Sequence, residues 1–199
     1  MRNLRSVCLA VISLLLPALA AASDEVPQVG KAAPQLTLSK VLQAPAGADV
    51  KWNALRGKVV VIDFWATWCA PCRESIPHWN QLVDAFADKP VRFVAITDEN
   101  DQVVREFLKR TPIHGWIGLG GVGRSTHDAY GVEGIPATFI INQKGVVVAA
   151  THPAHLEAKH IREVLETGTS SLTTPAAGVT GDHAGKEIVE RVPASRAQS

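Results

Sequence analysis

The stretch VVVIDFW, Val59 to Trp65, is β-branched and aromatic without polar alternation, interrupted only by Asp63. A strand covered on both of its faces reads this way. From Pro71 the period changes. Ile76, Trp79, Leu82, Val83 and Phe86 recur at helical spacing, with polar residues mostly elsewhere, so a helix follows the strand directly. Pro77 lies inside that pattern and predicts a kink. At the junction stand Cys69 and Cys72, with Ala70 and Pro71 between them.

Further elements follow from the same reasoning. KAAPQLTLSKVL (Lys31 to Leu42) alternates weakly and predicts a short strand or hairpin. WNALRGK (Trp52 to Lys58) predicts a helical turn ending at Gly57. VRFVAIT (Val91 to Thr97) is a second buried strand. Asp98 to Asn100 can cap a helix over Asp101 to Arg110 that turns Val103, Val104, Phe107 and Leu108 inward. WIGLG (Trp116 to Gly120) suits a short strand, and RSTHDAYGV a short helix stopped by Gly131. ATFIINQKGVVVAAT (Ala137 to Thr151) predicts a hairpin around Asn142 to Gly145. AHLEAKHIREVLETG (Ala154 to Gly168) predicts one amphipathic helix with Leu156, Ile161, Val164 and Leu165 on one side. Alternating strands and helices closed by a hairpin imply an α/β fold, a mixed central sheet with helices on both faces.

The ends of the chain differ in texture. Arg2 and Arg5 precede an apolar run, Val7 to Ala20, and small residues follow. This is the pattern of a signal peptide over residues 1–22, cleaved after Ala22 (the bond after Ala20 is the alternative) and directing export to the periplasm. An uncleaved anchor helix is the alternative, but the run is short for a span and contains Pro17. In that case alone the segment would hold the protein to a membrane. Cleavage would remove Arg2 and Arg5, taking the 20 Lys and Arg down to 18 against 19 Asp and Glu, a net charge of −1 instead of +1. Neither balance suits nucleic acid. Cleavage would also remove Cys8, leaving Cys69 and Cys72 as the only thiols. Residues 23–167 then form the folded domain. Residues 168–199, rich in Thr, Ser, Ala and Gly, read as a disordered tail.

Two thiols at a helix start have a definite chemistry. Unpaired backbone N–H groups and the helix dipole favour a thiolate at Cys69. Pro71 suits the first turn, where its missing N–H is no loss. Cys72 falls one turn further in. One thiolate can attack a partner's disulfide, and the other can resolve the mixed disulfide. A structural disulfide across so short a loop would stabilise little. A zinc half-site would need two more ligands, and no second Cys-x-x-Cys exists. The pattern asks for no metal and no cofactor. Asp63, six residues before Cys69 on the buried strand, would have a raised pKa and could exchange a proton with Cys72. A strand-end Asp bonding a loop is the plainer alternative. His152, His155 and His160 read as solvated surface residues, and His78 as pointing away from the thiols.

FWATWCAPC resembles the active-site signature of the thioredoxin superfamily. Together with VGKAAPQLTL, LRGKVVVIDFWATWCAPCRESIP, GIPATFIINQKGVVV and the leader, it is similar to the TlpA/ResA-type exported thiol–disulfide oxidoreductases, over roughly Val29 to Leu165. The resemblance implies a thioredoxin fold with an N-terminal extension. It implies that Cys69 is the exposed nucleophile, Cys72 the resolving thiol and Asp63 the buried proton carrier. It makes Ile135-Pro136 the cis-proline loop facing the pair, with Trp68 and Pro71 beside the site, so that Trp68, Pro71, Ile135 and Pro136 meet the substrate. It also implies protein disulfides as substrates and a membrane thiol protein as electron donor. One position departs: Ser75 stands where many such proteins carry Glu, and Glu74 is turned about 100° away. Peroxiredoxins place Thr three residues before their Cys, and here that residue is Ala66. Two other readings stay open at this point: a copper chaperone using the two thiols as ligands, and a periplasmic dithiol oxidase.

Overall fold

The computed structural model describes residues 29–120 and 122–172. Residues 1–28, where a signal peptide is expected, and residues 173–199, most of the expected tail, lie outside the described residues. The elements run in chain order β1 (Leu38–Leu42), α1 (Trp52–Leu55), β2 (Val59–Phe64), α2 (Ala70–Ala85), β3 (Val91–Thr97), α3 (Asp101–Arg110), β4 (Trp116–Gly120), a 3-10 turn at Val122–Arg124, α4 (Ser125–Ala129), β5 (Ala137–Ile141), β6 (Val147–Thr151), a 3-10 turn at Pro153–His155, and α5 (Ala158–Thr167). The six strands form one sheet in the order β1-β4-β3-β2-β5-β6. β2 pairs in parallel with β3, and β3 with β4; the other pairings are antiparallel. This is a thioredoxin fold.

Every residue of β2 is buried. The pleat sends Val59 and Val61 to one core, which α2, α3 and α5 cover. It sends Val60, Ile62 and Phe64 to the other, which holds Leu55 of α1, Tyr130 after α4, and Ala33 and Leu36 of the segment before β1. By the same alternation Asp63 faces the α2 side. Both parallel crossovers, through α2 and α3, move across the sheet in one direction, which puts both helices on one face when both are right-handed. In the second core Phe64 is ringed by His127, Tyr130 and Phe139, with centroids 4.7, 5.5 and 5.8 Å away.

Three expectations are corrected. Val103 does not face inward; it is 42% exposed. It lies about 100° round the helix from Val104, and Val104, Phe107 and Leu108 fill the inward arc. The helix expected from Ala154 starts only at Ala158. Pro153 opens a 3-10 turn capped by His152, and Leu156 and Glu157 are extended. His160 is buried rather than solvated. Its Nδ1 accepts from the Glu157 N–H at 3.0 Å, the capping-box role that Glu usually fills, and this turns the ring inward. Past α5, Ser171 donates to Glu163 and Leu172 packs on the core.

The ring cluster yields a first prediction. Phe64→Ala removes a fully buried ring at the strand centre and should cost about 3–5 kcal/mol of stability, read as a lower urea midpoint. A loss under about 1 kcal/mol would mean that Phe64 does not anchor this core.

Candidate active site

Cys69 is the N-cap of α2. Its backbone is extended (φ −78°, ψ 105°), and its sulfur accepts from the Cys72 N–H at 3.2 Å. Pro71 occupies the second helical position, where no intrahelical donor is needed. Cys69 and Cys72 form a disulfide. The positive end of the 16-residue helix α2 points at Cys69, so a thiolate there meets both N–H groups and a favourable dipole.

The two sulfurs face different surroundings. Cys69 lines an open cleft of about 670 Å³, together with Trp68, Pro71, Glu99, Arg124, His127, Glu133 and Ile135. Cys72 lines a small pocket of about 10 Å³ shared with Asp63, Trp65, Ser75 and Trp79 and walled mostly by buried side chains, room for one water at most. Cys69 is not exposed in the disulfide form. It is 4% accessible against 3% for Cys72, so the side each faces, not its accessibility, separates them. Trp68 beside it is 72% exposed, an apolar surface next to the Cys69 sulfur.

The Ile135-Pro136 peptide is cis. The Ile135 carbonyl oxygen lies 3.8 Å from the Cys69 sulfur. Trp68, Pro71 and Ile135 therefore share the cleft with Cys69. Pro136 is buried behind Ile135 and lines neither space.

Asp63 sits in β2 opposite Ala95 of β3 and Thr138 of β5. Thr138 Oγ1 donates to its Oδ1 at 2.6 Å. It is 8% exposed, and burial pushes its pKa up to about 7, with the Thr138 hydrogen bond pulling the other way. Ser75 Oγ donates back to the Pro71 carbonyl at 3.0 Å, so a helix carbonyl satisfies the hydroxyl that stands in the Glu position. His78 is turned off the thiols, its Nε2 2.6 Å from the Leu156 carbonyl.

Three participants were not singled out from sequence. Thr138 is a lone hydroxyl in an apolar strand, and only its register opposite Asp63 reveals it. Glu99 accepts both the N–H and the hydroxyl of Thr67 at 2.6 Å; in sequence Asp98 to Asn100 signals only a helix cap, which Asn100 supplies. His127 is buried in the cleft wall, Nδ1 3.0 Å from Asp98 but misaligned for a hydrogen bond. Burial lowers its pKa, against the pull of Asp98. Among the described residues no group of three or more His, Cys, Asp or Glu could hold a metal ion. No helix among them is long and apolar enough to cross a membrane.

A thioredoxin fold with a Cys-x-x-Cys disulfide at the junction of its central strand and the next helix defines a thioredoxin-like thiol–disulfide oxidoreductase. The Redoxin family model matches residues 28–165, and the chain belongs to that family. It is 31% identical over 128 residues to the thiol–disulfide oxidoreductase ResA of Bacillus anthracis, covering 64% of this chain and 71% of that one. It is 25% identical to a thiol:disulfide interchange protein of the thioredoxin family from Chlorobium tepidum, whose crystal structure covers 68% of this chain and 99% of its own with a TM-score of 0.52. The thioredoxin domain of a thiol–disulfide oxidoreductase from Bacteroides vulgatus, 22% identical, shares the fold with a TM-score of 0.58 over 72% of this chain and 99% of that domain.

The Asp63 environment fixes a pH dependence. In the unfolded chain Asp63 ionises near pH 4 (about 3.9 for a free Asp), in the folded protein only near 7. Between these values the folded state keeps a proton that the unfolded state has lost. Stability therefore falls as pH rises through this window and levels off above it, by at most about 4 kcal/mol. Asp63→Asn keeps an acceptor for Thr138 and should flatten the decline, leaving the oxidised variant more stable than the parent at pH 8 and not at pH 4. Parallel Tm–pH curves for the two proteins would rule this out.

Proposed function

We propose that this protein is exported and reduces disulfides in other polypeptides through Cys69 and Cys72. The observation that carries the reading is the division of the pair, with Cys69 on the large cleft and Cys72 on the small buried pocket that holds Asp63. The oxidoreductase names of its relatives support it. The leader, read from sequence, supports export.

In the reduced protein the Cys69 thiolate attacks one sulfur of a substrate disulfide. The substrate S–S bond breaks, a mixed disulfide forms, and the departing substrate thiolate takes a proton from water. The Cys72 thiol gives its proton to Asp63 and attacks the Cys69 sulfur. The mixed disulfide breaks, the second substrate thiolate leaves and is protonated, and Cys69–Cys72 is oxidised. Two electrons have passed to the substrate. A carboxylate with a pKa of about 7 is matched to this exchange, because a free thiol titrates at about 8.5. Trp68 and Ile135 border the approach to Cys69 and receive the substrate chain. A membrane thiol protein recharges the pair.

The reduction potential tests the direction. Equilibration in thiol–disulfide buffers should give a value near thioredoxin's, about −270 mV. A value of about −120 mV would make the protein an oxidase. Cys72→Ser should accumulate mixed disulfides with substrate proteins on non-reducing gels, and their absence would count against the two-thiol mechanism.

A further inference from the structure

The loop between β2 and Cys69 is held at three points. At its base the Trp65 N–H donates to the Ile96 carbonyl at 3.0 Å. At its end Cys69 caps α2. In the middle one carboxylate, Glu99, takes both Thr67 donors, the N–H on Oε2 and the hydroxyl on Oε1, each at 2.6 Å. Glu99 is itself braced by Thr97, whose hydroxyl lies 3.3 Å from Oε2 and accepts from the Glu99 N–H at 3.3 Å. It is half-buried, lines the cleft with Cys69, and has no ion-pair partner among the described residues.

We propose that Glu99 is a positioning residue for the dithiol reaction: through Thr67 it fixes the loop that presents Trp68 and Cys69, and its charge on the cleft biases the pair toward donating electrons. The first part follows from geometry. Thr67 is two residues before the nucleophile, and a bidentate clamp on its backbone and side chain leaves the loop little freedom. The second follows from electrostatics. The α2 dipole favours the Cys69 thiolate. Asp98, Arg124, His127 and Glu133 line the same cleft; Arg124 lies 3.7 Å from Asp98 and 3.9 Å from Asp128, and His127 faces Asp98, so neither Arg124 nor His127 is paired with Glu99. The Glu99 carboxylate, held by neutral donors, opposes the thiolate, because like charges in a partly dry site repel. Destabilising the thiolate destabilises the reduced state, which makes the dithiol the stronger reductant. Electron flow toward the substrate then depends on Glu99 as well as on the cysteines. This inference rests on the reductase reading.

The test uses the full chain. The rate of iodoacetamide alkylation of Cys69 is followed against pH by mass spectrometry of its peptide, and the dithiol–disulfide constant is measured against glutathione. Glu99→Gln should move the alkylation midpoint down by about half a pH unit and shift the glutathione constant about threefold toward the dithiol. Thr67→Val keeps the charge and loses one clamp bond. Its midpoint should stay at the wild-type value while its turnover with a protein disulfide falls. If Glu99→Gln folds with an unchanged midpoint and constant, the charge has no such role. If Thr67→Val folds and turns over at the full wild-type rate, the clamp has none; should Glu99→Gln not fold, Glu99→Ala read by the same midpoint and constant decides the charge. Alkylation needs no substrate, so a wild-type protein that failed to reduce disulfides would defeat the reductase reading while the midpoint still decided Glu99.

Discussion

A strand with no solvent-facing side governs this molecule. β2 has β3 on one edge and β5 on the other, a helical layer on one face and the segment around α1 and α4 on the second. Its backbone groups are satisfied only by those neighbours, and its side chains only by those layers. The chain leaving its carboxyl end must turn sharply into α2, and the cysteines occupy that turn. The pleat then decides what lies beneath them. Odd-numbered residues of β2 face α2, so Asp63 sits on the same side as Cys72.

Two carboxylates frame the disulfide in opposite ways. Asp63 lies behind it, with no cation to offset its burial, and one threonine hydroxyl is too little to keep it ionised at mildly acid pH. Glu99 lies in front, half-buried, with its oxygens occupied by Thr67. The first is suited to carrying a proton. The second holds the loop that leads to Cys69. Both reach the site from the ends of adjacent parallel strands or the turn just beyond, which is where α/β sheets gather their functional groups.

Much of this was legible in the sequence. β2 and α2 were readable because an unbroken apolar run and a change of period are local signals. The cap residues Cys69 and Asn100 were readable because helix starts have their own chemistry. Local signals also misled. Apolar spacing ran the last helix back to Ala154, through residues that Pro153 and the Glu157–His160 capping box hold out of it. Spacing put Val103 inward because periodicity gives a direction around the axis and not the width of the buried arc.

What the sequence alone determined is the strand–Cys-x-x-Cys–helix junction, the alternation that makes an α/β sheet, and through resemblance the cis bond before Pro136. Which side chains meet was decided by the tertiary structure. Thr138 reaches Asp63 across 75 residues, Ile135 reaches Cys69 across 66, and Glu99 reaches Thr67 across 32. Each meeting depends on strand order and register, and a one-residue slip of β5 would turn Thr138 to the opposite face. A residue pattern specifies which face a side chain takes, but its partner on that face is chosen only when the strands pair.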